Sequence, residues 1–358
     1  MRASQPIFII GSYRSATSAL TWAIGQHPNI FPLEETNFLG RLSADLGIQY
    51  KLGSERGART FLSSAGISRS EYYGSFGRCV DEMVVSARSR VLARVRESSA
   101  GQEVSQNVQL HMRQDEPKLR WIDGTPENSF FVLPLRLMFP GAKFIFILRH
   151  PAEVARSLAH FDSIGGKKYS EAEACQVWTG LVRSSALAER AFGEGVVLRV
   201  SYEEIKNNPE ETVRRCLAFV GEEAADACKL PLRERINSSV IPHEALRADR
   251  GDKSREASQA LALYESIVSG EFAQKLSPFG AFRRLVESAA QYQHTFDPAT
   301  IGEMQRRKRA AESENRRLKI ELRDARRGLL VSPVTLARRL KSQFGRVFSG
   351  KRGEFSGT

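Results

Sequence analysis

Residues 11–18 read Gly-Ser-Tyr-Arg-Ser-Ala-Thr-Ser. One guanidinium, Arg14, stands among three hydroxyls, Ser15, Thr17 and Ser18, behind a leading glycine. Placed between a strand and a helix, such a run turns backbone N–H groups and side-chain donors onto an anion. A loop that hydrolyses nucleoside triphosphates needs the pattern G-x-x-x-x-G-K-[ST]. Laid from Gly11, its second glycine falls on Ala16 and its lysine on Thr17. The run FIFIL also leads into Arg149–His150, where an aspartate would be wanted for Mg²⁺. Triphosphate hydrolysis is therefore set aside, and metal-free anion binding is the expectation. A second anion grip lies in LRHPAEVARSL: Arg149 at a strand end, Pro151 opening a helix, and Ser157 two turns along it. Two grips on one sheet point to a nucleotide with phosphates at two positions of its ribose.

The elements that must position these groups follow from apolar patterning. Strands are expected at Ile7–Ile10, Trp121–Asp123, Lys143–Leu148 and Val196–Val200, with a further strand-like run at NIFP. Helices are expected at Ser15–Gly25, Glu127–Phe139, Ala152–His160, Ala172–Phe192 and Glu210–Val220. Thr125–Pro126 reads as an N-cap and first helical residue. FIFIL and VVLRV are continuous rather than alternating, which suits strands buried on both faces of a parallel sheet. The expected fold class is α/β, a central parallel sheet flanked by helices, with a helical C-terminal tail. Residues 40–120 read as a helical insertion beside the sheet, and 222–285 as short helices.

The chain of 358 residues carries a net charge of +12. Residues 286–358, with 16 Lys/Arg and 8 Asp/Glu, supply +8 of it. Residues 286–300 read as a linker. From Ile301 to Leu329 apolar and small residues recur at spacings of 3 and 4, with Asn315 at a core position and three flanking pairs of opposite sign. That register predicts a parallel homodimeric coiled coil or, because Lys308, Ala311 and Ala325 make a weak seam, a single solvated helix. Residues 333–348 place Leu336, Leu340, Phe344 and Val347 on one helical face and Arg338, Arg339, Lys341 and Arg346 off it, the pattern of a basic helix lying on an anionic membrane surface, with docking on the protein's own body or disorder as the alternatives. The tail lacks aromatics between its basic residues, so no specific nucleic acid is expected. Four scattered cysteines, no secretory h-region and no apolar run near the roughly 20 residues of a bilayer span predict a cytoplasmic protein, peripheral at the inner membrane surface if the basic helix engages it.

Four linked segments, GSYRSATS, HPNIFPLEETNFL, KFIFILRHPAEVARSL and VSYEEIKNNPEETVRRCLAFVG, together resemble the sulfotransferases that use 3′-phosphoadenosine 5′-phosphosulfate (PAPS). The resemblance covers residues 6–221 in family order and implies a sulfotransferase domain over 1–285 with a P-loop-like fold. It implies that Arg14, Ser15, Ala16, Thr17 and Ser18 form the 5′-phosphosulfate loop, and that Arg149 and Ser157 hold the 3′-phosphate. Tyr202, in the YEE run, matches a family segment near the adenine. Ala16 departs from the glycine usual there. Where that residue needs a positive φ, alanine costs on the order of 1 kcal/mol. Carbohydrate and protein-tyrosine branches place a catalytic glutamate 21 residues after the loop's basic residue, which from Arg14 is Glu35. Glu34 is the fallback base; His27 and His111 are poorer candidates. The resemblance thus implies sulfuryl transfer from PAPS to a carbohydrate or glycolipid hydroxyl, with Glu35 as base, Arg14 on the leaving group and no metal. Two alternatives stand beside it. An ATP-dependent phosphotransferase on the same sheet is opposed by the missing lysine. A silent scaffold is opposed by the retention of Arg14, Arg149, Ser157 and Glu35.

Overall fold

The apolar run at 143–148 forms the strand through which the sheet is organised. The structure, a computed structural model, describes residues 5–55, 59–98, 120–159, 169–229, 232 and 254–295. Five parallel strands, β1 (Ile7–Gly11), β2 (Ile30–Pro32), β3 (Arg120–Asp123), β4 (Lys143–Leu148) and β5 (Val197–Ser201), pair in the order β2-β3-β1-β4-β5. The register sets Ile7 opposite Lys143, Gly11 opposite Ile147 and Leu148 opposite Ser201. Each of the four expected strands is present to within one residue at either end, and NIFP supplies β2.

Because side chains alternate across a strand, the sheet has two apolar faces. Phe8, Ile10, Trp121, Phe144 and Phe146 fill one; Ile7, Ile9, Ile122, Ile145 and Ile147 fill the other. On the first face Phe8 stacks on Phe144 at 5.2 Å and meets Trp121 edge-on at 5.5 Å. Helix α1 (Thr17–Gly25) and, beyond it, α9 (Pro209–Val220) bury Leu20, Ile24, Val213 and Leu217 on the second. The first face is covered by α2 (Leu39–Ser54), α4 (Arg69–Ser98), α5 (Val132–Met138) and α7 (Glu171–Phe192). A short α3 (Phe61–Ser64) joins α2 to α4. These helices give the expected insertion its helical character up to Ser98; residues 99–119 lie outside the described set.

Two helices depart from expectation for local reasons. The helix expected over Glu127–Phe139 is a 3-10 turn, Pro126–Phe131, followed by α5. Pro134 has no N–H and its ring collides with the carbonyl four residues back, so it is accommodated in the first turn of an α-helix that starts at Val132. Thr125 caps the 3-10 turn by position only, because its hydroxyl donates to Asp123 and accepts from Thr36 N instead. The helix expected from Ser15 starts at Thr17, because Ala16 is left-handed at φ 71°, ψ 23°.

After β4 come α6 (Pro151–Ala159) and α7, whose start is closed by a Ser170–Glu173 capping box. After β5, α8 (Tyr202–Asn207) carries a second such box from Ser201 and Glu204. Helices α10 (Arg255–Val268), α11 (Glu271–Gln274) and α12 (Pro278–Thr295) follow. Helix α12 continues through position 286, where a linker was expected; no proline interrupts it between Pro278 and Pro298. The chain divides into units Met1–Gln293 and His294–Thr358. The coiled-coil segment 301–329 and the basic segment 333–348 lie outside the described residues. Among those described, no helix is long and apolar enough to cross a membrane.

Candidate active site

The chain leaves β1 for β2 and β3 on one side, and leaves β4 for β5 on the other. Adjacent strands whose connections diverge open a crevice at their carboxyl ends, where open parallel sheets bind ligands. The loop after β1 carries Arg14; the turn and helix after β4 carry Arg149 and Ser157. Topology therefore brings the two expected anion grips to one crevice.

Their contacts are direct. Arg14 Nε donates to Ser157 Oγ at 3.0 Å. Arg149 Nη1 donates to the Arg14 carbonyl at 2.6 Å, and Arg149 Nε pairs with Glu153 at 3.0 Å. The Arg149 guanidinium lies 3.8 Å from the centroid of the Tyr202 ring, a cation–π stack that joins α8 to the same corner. Burial, and then the neighbouring Arg149 charge, lower the pKa of Arg14. Two partly desolvated guanidinium groups held together in this way favour an anion between them.

The backbone of the loop completes the cradle. No side chain caps α1, and its first intrahelical bond runs from Leu20 N to Ala16 O. The amides of Thr17, Ser18 and Ala19 therefore have no acceptor within the helix. Arg14 at φ 58° and Ala16 at φ 71° both take left-handed backbone, and each costs on the order of 1 kcal/mol for a residue with a Cβ. Gly11, at φ 132°, cannot be replaced without strain: an added Cβ would stand 2.4 Å from Ile147 O of the neighbouring strand. Ser15 and Thr17 are buried, and the buried Ser12 hydroxyl has no hydrogen-bond partner among the described residues.

A carboxylate cluster faces the loop from the β2 and β3 ends. Glu35 follows β2 at the exposed rim. Desolvation first, then the charges of Glu127, Asp123 and Glu34, push its pKa up to about 7. Because the residue surface is exposed at the rim, the repulsion of the three neighbouring carboxylates is the firmer of these causes, and it acts in the same upward direction as desolvation. Tyr13, in the loop after β1, donates a short hydrogen bond to Glu127 Oε1. Burial, that bond and the nearby carboxylates, Glu35 among them, drive the Tyr13 hydroxyl far above its ordinary range. Glu35 is thus an electrostatic neighbour of the loop. Such a carboxyl suits proton transfer near neutral pH.

Among the expected site residues, Arg14, Ser15 and Ala16 lie in one loop and Thr17 and Ser18 in the first turn of α1; Ser157 and Arg149 bond to Arg14, and Tyr202 stacks on Arg149. Of the histidines, His27 is buried, takes a hydrogen bond from Asn29 N at 3.1 Å and lies 3.9 Å from Glu222; its surroundings are structural. His111 is outside the described residues. The groups not expected from sequence are Tyr13, Asp123 and Glu127. The readable signal was position: Asp123 ends a strand of a parallel sheet, where ligands gather. Among the described residues no cluster of metal-ligating side chains occurs.

The profile of the Sulfotransferase family matches residues 6–226. An uncharacterized protein of Aquifex aeolicus (strain VF5) is 24% identical over 240 residues, which is 65% of this chain and 26% of that protein. The chain thus spans about a quarter of the length of this curated relative. Of the solved structures, the sulfotransferase domain of the olefin synthase of Synechococcus PCC 7002 is 18% identical, with 74% of this chain and 96% of that one covered and a TM-score of 0.44. A sulfotransferase from Mycobacterium tuberculosis H37Rv is also 18% identical, with 72% and 76% covered and a TM-score of 0.39.

Proposed function

The chain belongs to the sulfotransferase family, and from that premise we propose that it moves a sulfuryl group from PAPS to a carbohydrate or glycolipid hydroxyl, with Glu35 as general base. One observation carries the reading: Arg14 and Arg149 converge on one crevice, and Arg14 is hydrogen-bonded to Ser157. A donor with anionic groups at both its 5′ and 3′ positions suits two such grips. The donor set fits it: two guanidiniums, the uncapped amides of α1 and buried hydroxyls.

In this reading the loop amides and Arg14 hold the 5′ anion and oppose the negative charge that develops on the departing phosphate oxygen. Arg149, positioned by Glu153 and Tyr202, and Ser157 hold the 3′-phosphate. Glu35 removes the acceptor proton; its raised pKa matches a base that works near neutrality. Phe38, 47% exposed three residues on, offers an apolar face at the rim for a sugar ring.

The test is transfer of labelled sulfate from PAPS. The wild-type chain should label an acceptor in a carbohydrate and glycolipid mixture, and should bind 3′,5′-diphosphoadenosine in preference to ATP. Preference for ATP would overturn the donor assignment.

A further inference from the structure

Resting on the reading of Glu35 as base, we propose that Asp123 is a positioning residue for Glu35, acting through the amide and hydroxyl of Thr36. Asp123 sits at the carboxyl end of β3 and is 0% exposed. A buried carboxylate is tolerated only where its oxygens are satisfied. Asp123 Oδ1 accepts from Thr125 N at 2.9 Å and Thr125 Oγ1 at 2.6 Å. Its Oδ2 accepts from Asn128 Nδ2 at 2.8 Å and Thr36 Oγ1 at 2.7 Å. Thr125 Oγ1 in turn accepts from Thr36 N at 2.9 Å. Both polar groups through which Thr36 can donate are therefore committed to one hub.

Glu35 is the residue next to that anchor, and its own peptide is drawn into the same turn. Asn37 Nδ2 donates to the Glu35 carbonyl at 3.2 Å, and Phe38 N donates to the Thr36 carbonyl at 2.5 Å. Asn37 holds a left-handed φ of 53°. Such a conformation persists where its surroundings over-determine it. The segment linking β2 to α2 would otherwise be an exposed connection, too loose to hold a base against a hydroxyl. Asp123 ties it to the end of a buried strand, the rigid support that precise catalytic geometry requires. Asp123 does not need to meet the acceptor to do this.

Thr36 makes the cleanest test, because its substitution leaves the buried hub otherwise intact. Thr36→Val, Thr36→Ser, Glu35→Gln and the Thr36→Val/Glu35→Gln double variant would be compared by conversion of PAPS to 3′,5′-diphosphoadenosine with a fixed mixture of carbohydrate acceptors. Binding of 3′,5′-diphosphoadenosine would be measured alongside. Thr36→Val should lower kcat by about 10–100-fold, with nucleotide affinity within about twofold. Thr36→Ser should restore most of the rate. In the Glu35→Gln background, Thr36→Val should add almost nothing, because residues that act as a unit are non-additive. A wild-type rate in Thr36→Val beside a slow Glu35→Gln would overturn the positioning role alone, as would an equal loss in both backgrounds or a loss confined to KM. A wild-type rate in Glu35→Gln would overturn the base assignment itself.

Discussion

Arg14 Nε donates to Ser157 Oγ at 3.0 Å, joining the loop after β1 to the helix after β4 across 143 residues of sequence. The bond sets Arg14 beside the first turns of the helix after β4 and restrains its guanidinium there. Arg149 then braces the same loop through the Arg14 carbonyl.

The two grips should separate by ligand. Arg149→Ala removes charge-assisted bonds worth about 1.5–3 kcal/mol, so affinity for 3′,5′-diphosphoadenosine should fall about 10–100-fold. Affinity for adenosine 5′-phosphosulfate, which lacks the 3′-phosphate and feels Arg149 only through its brace on the Arg14 carbonyl, should fall by clearly less. Titration calorimetry decides; equal losses would refute the assignment of Arg149.

How much of this was legible in the sequence depends on range. FIFIL gave β4 with its bounds intact, because a strand buried on both faces has nothing but apolar residues to show. The places of Arg14 and Arg149, just beyond β1 and β4, were legible because the apolar runs before them mark the strand ends. Pairing across distance was not. Nothing in the types of Ser157 and Arg14 says that one donates to the other. Asp123 read as the last residue of a strand, and Glu127 as an ordinary first-turn acid; their convergence on Glu35 appears only when β2 and β3 are neighbours. Even the start of α1 at Thr17 rather than Ser15 turns on a backbone angle at Ala16 that no periodicity records.

Ala16 carries that angle at a cost. Left-handed backbone disfavours a Cβ by about 1–2 kcal/mol, while glycine adds unfolded-state entropy of about 0.4–1 kcal/mol. Ala16→Gly should therefore stabilise the fold by about 0.5–1 kcal/mol in urea unfolding. A loss of stability would mean that the left-handed turn is not adopted.

The pH behaviour of Glu35 has a definite sign. Its carboxyl, raised from 4.5 to about 7, keeps its proton in the folded chain after the unfolded chain has lost it. Its contribution to stability is complete below the lower value and declines as pH rises through the upper one. Turnover, which needs the ionised base, should rise over the same window. Glu35→Gln, neutral at every pH, should match the wild-type unfolding midpoint at about pH 4 and exceed it at about pH 8. Parallel midpoints across that range would contradict the shift.

Glu127 supplies the largest of the charges that act on Glu35, and its Oε2 is buried without a hydrogen-bond partner among the described residues. Glu127→Gln should move the acid limb of the rate profile to lower pH while leaving its plateau in place. Tyr13→Phe deprives the Glu127 carboxylate of its donor and should cost about 1–3 kcal/mol of stability. An unmoved acid limb would remove Glu127 from the account.

The most direct measurement compares wild type and Glu35→Gln for labelled sulfate transfer from PAPS to one acceptor mixture, with 3′,5′-diphosphoadenosine affinity measured on the same samples. Glu35→Gln should lose at least about 100-fold in transfer, at the lower end of what a general base contributes, while its nucleotide affinity stays within about twofold of wild type. Equal labelling by the two proteins would contradict Glu35 as the base.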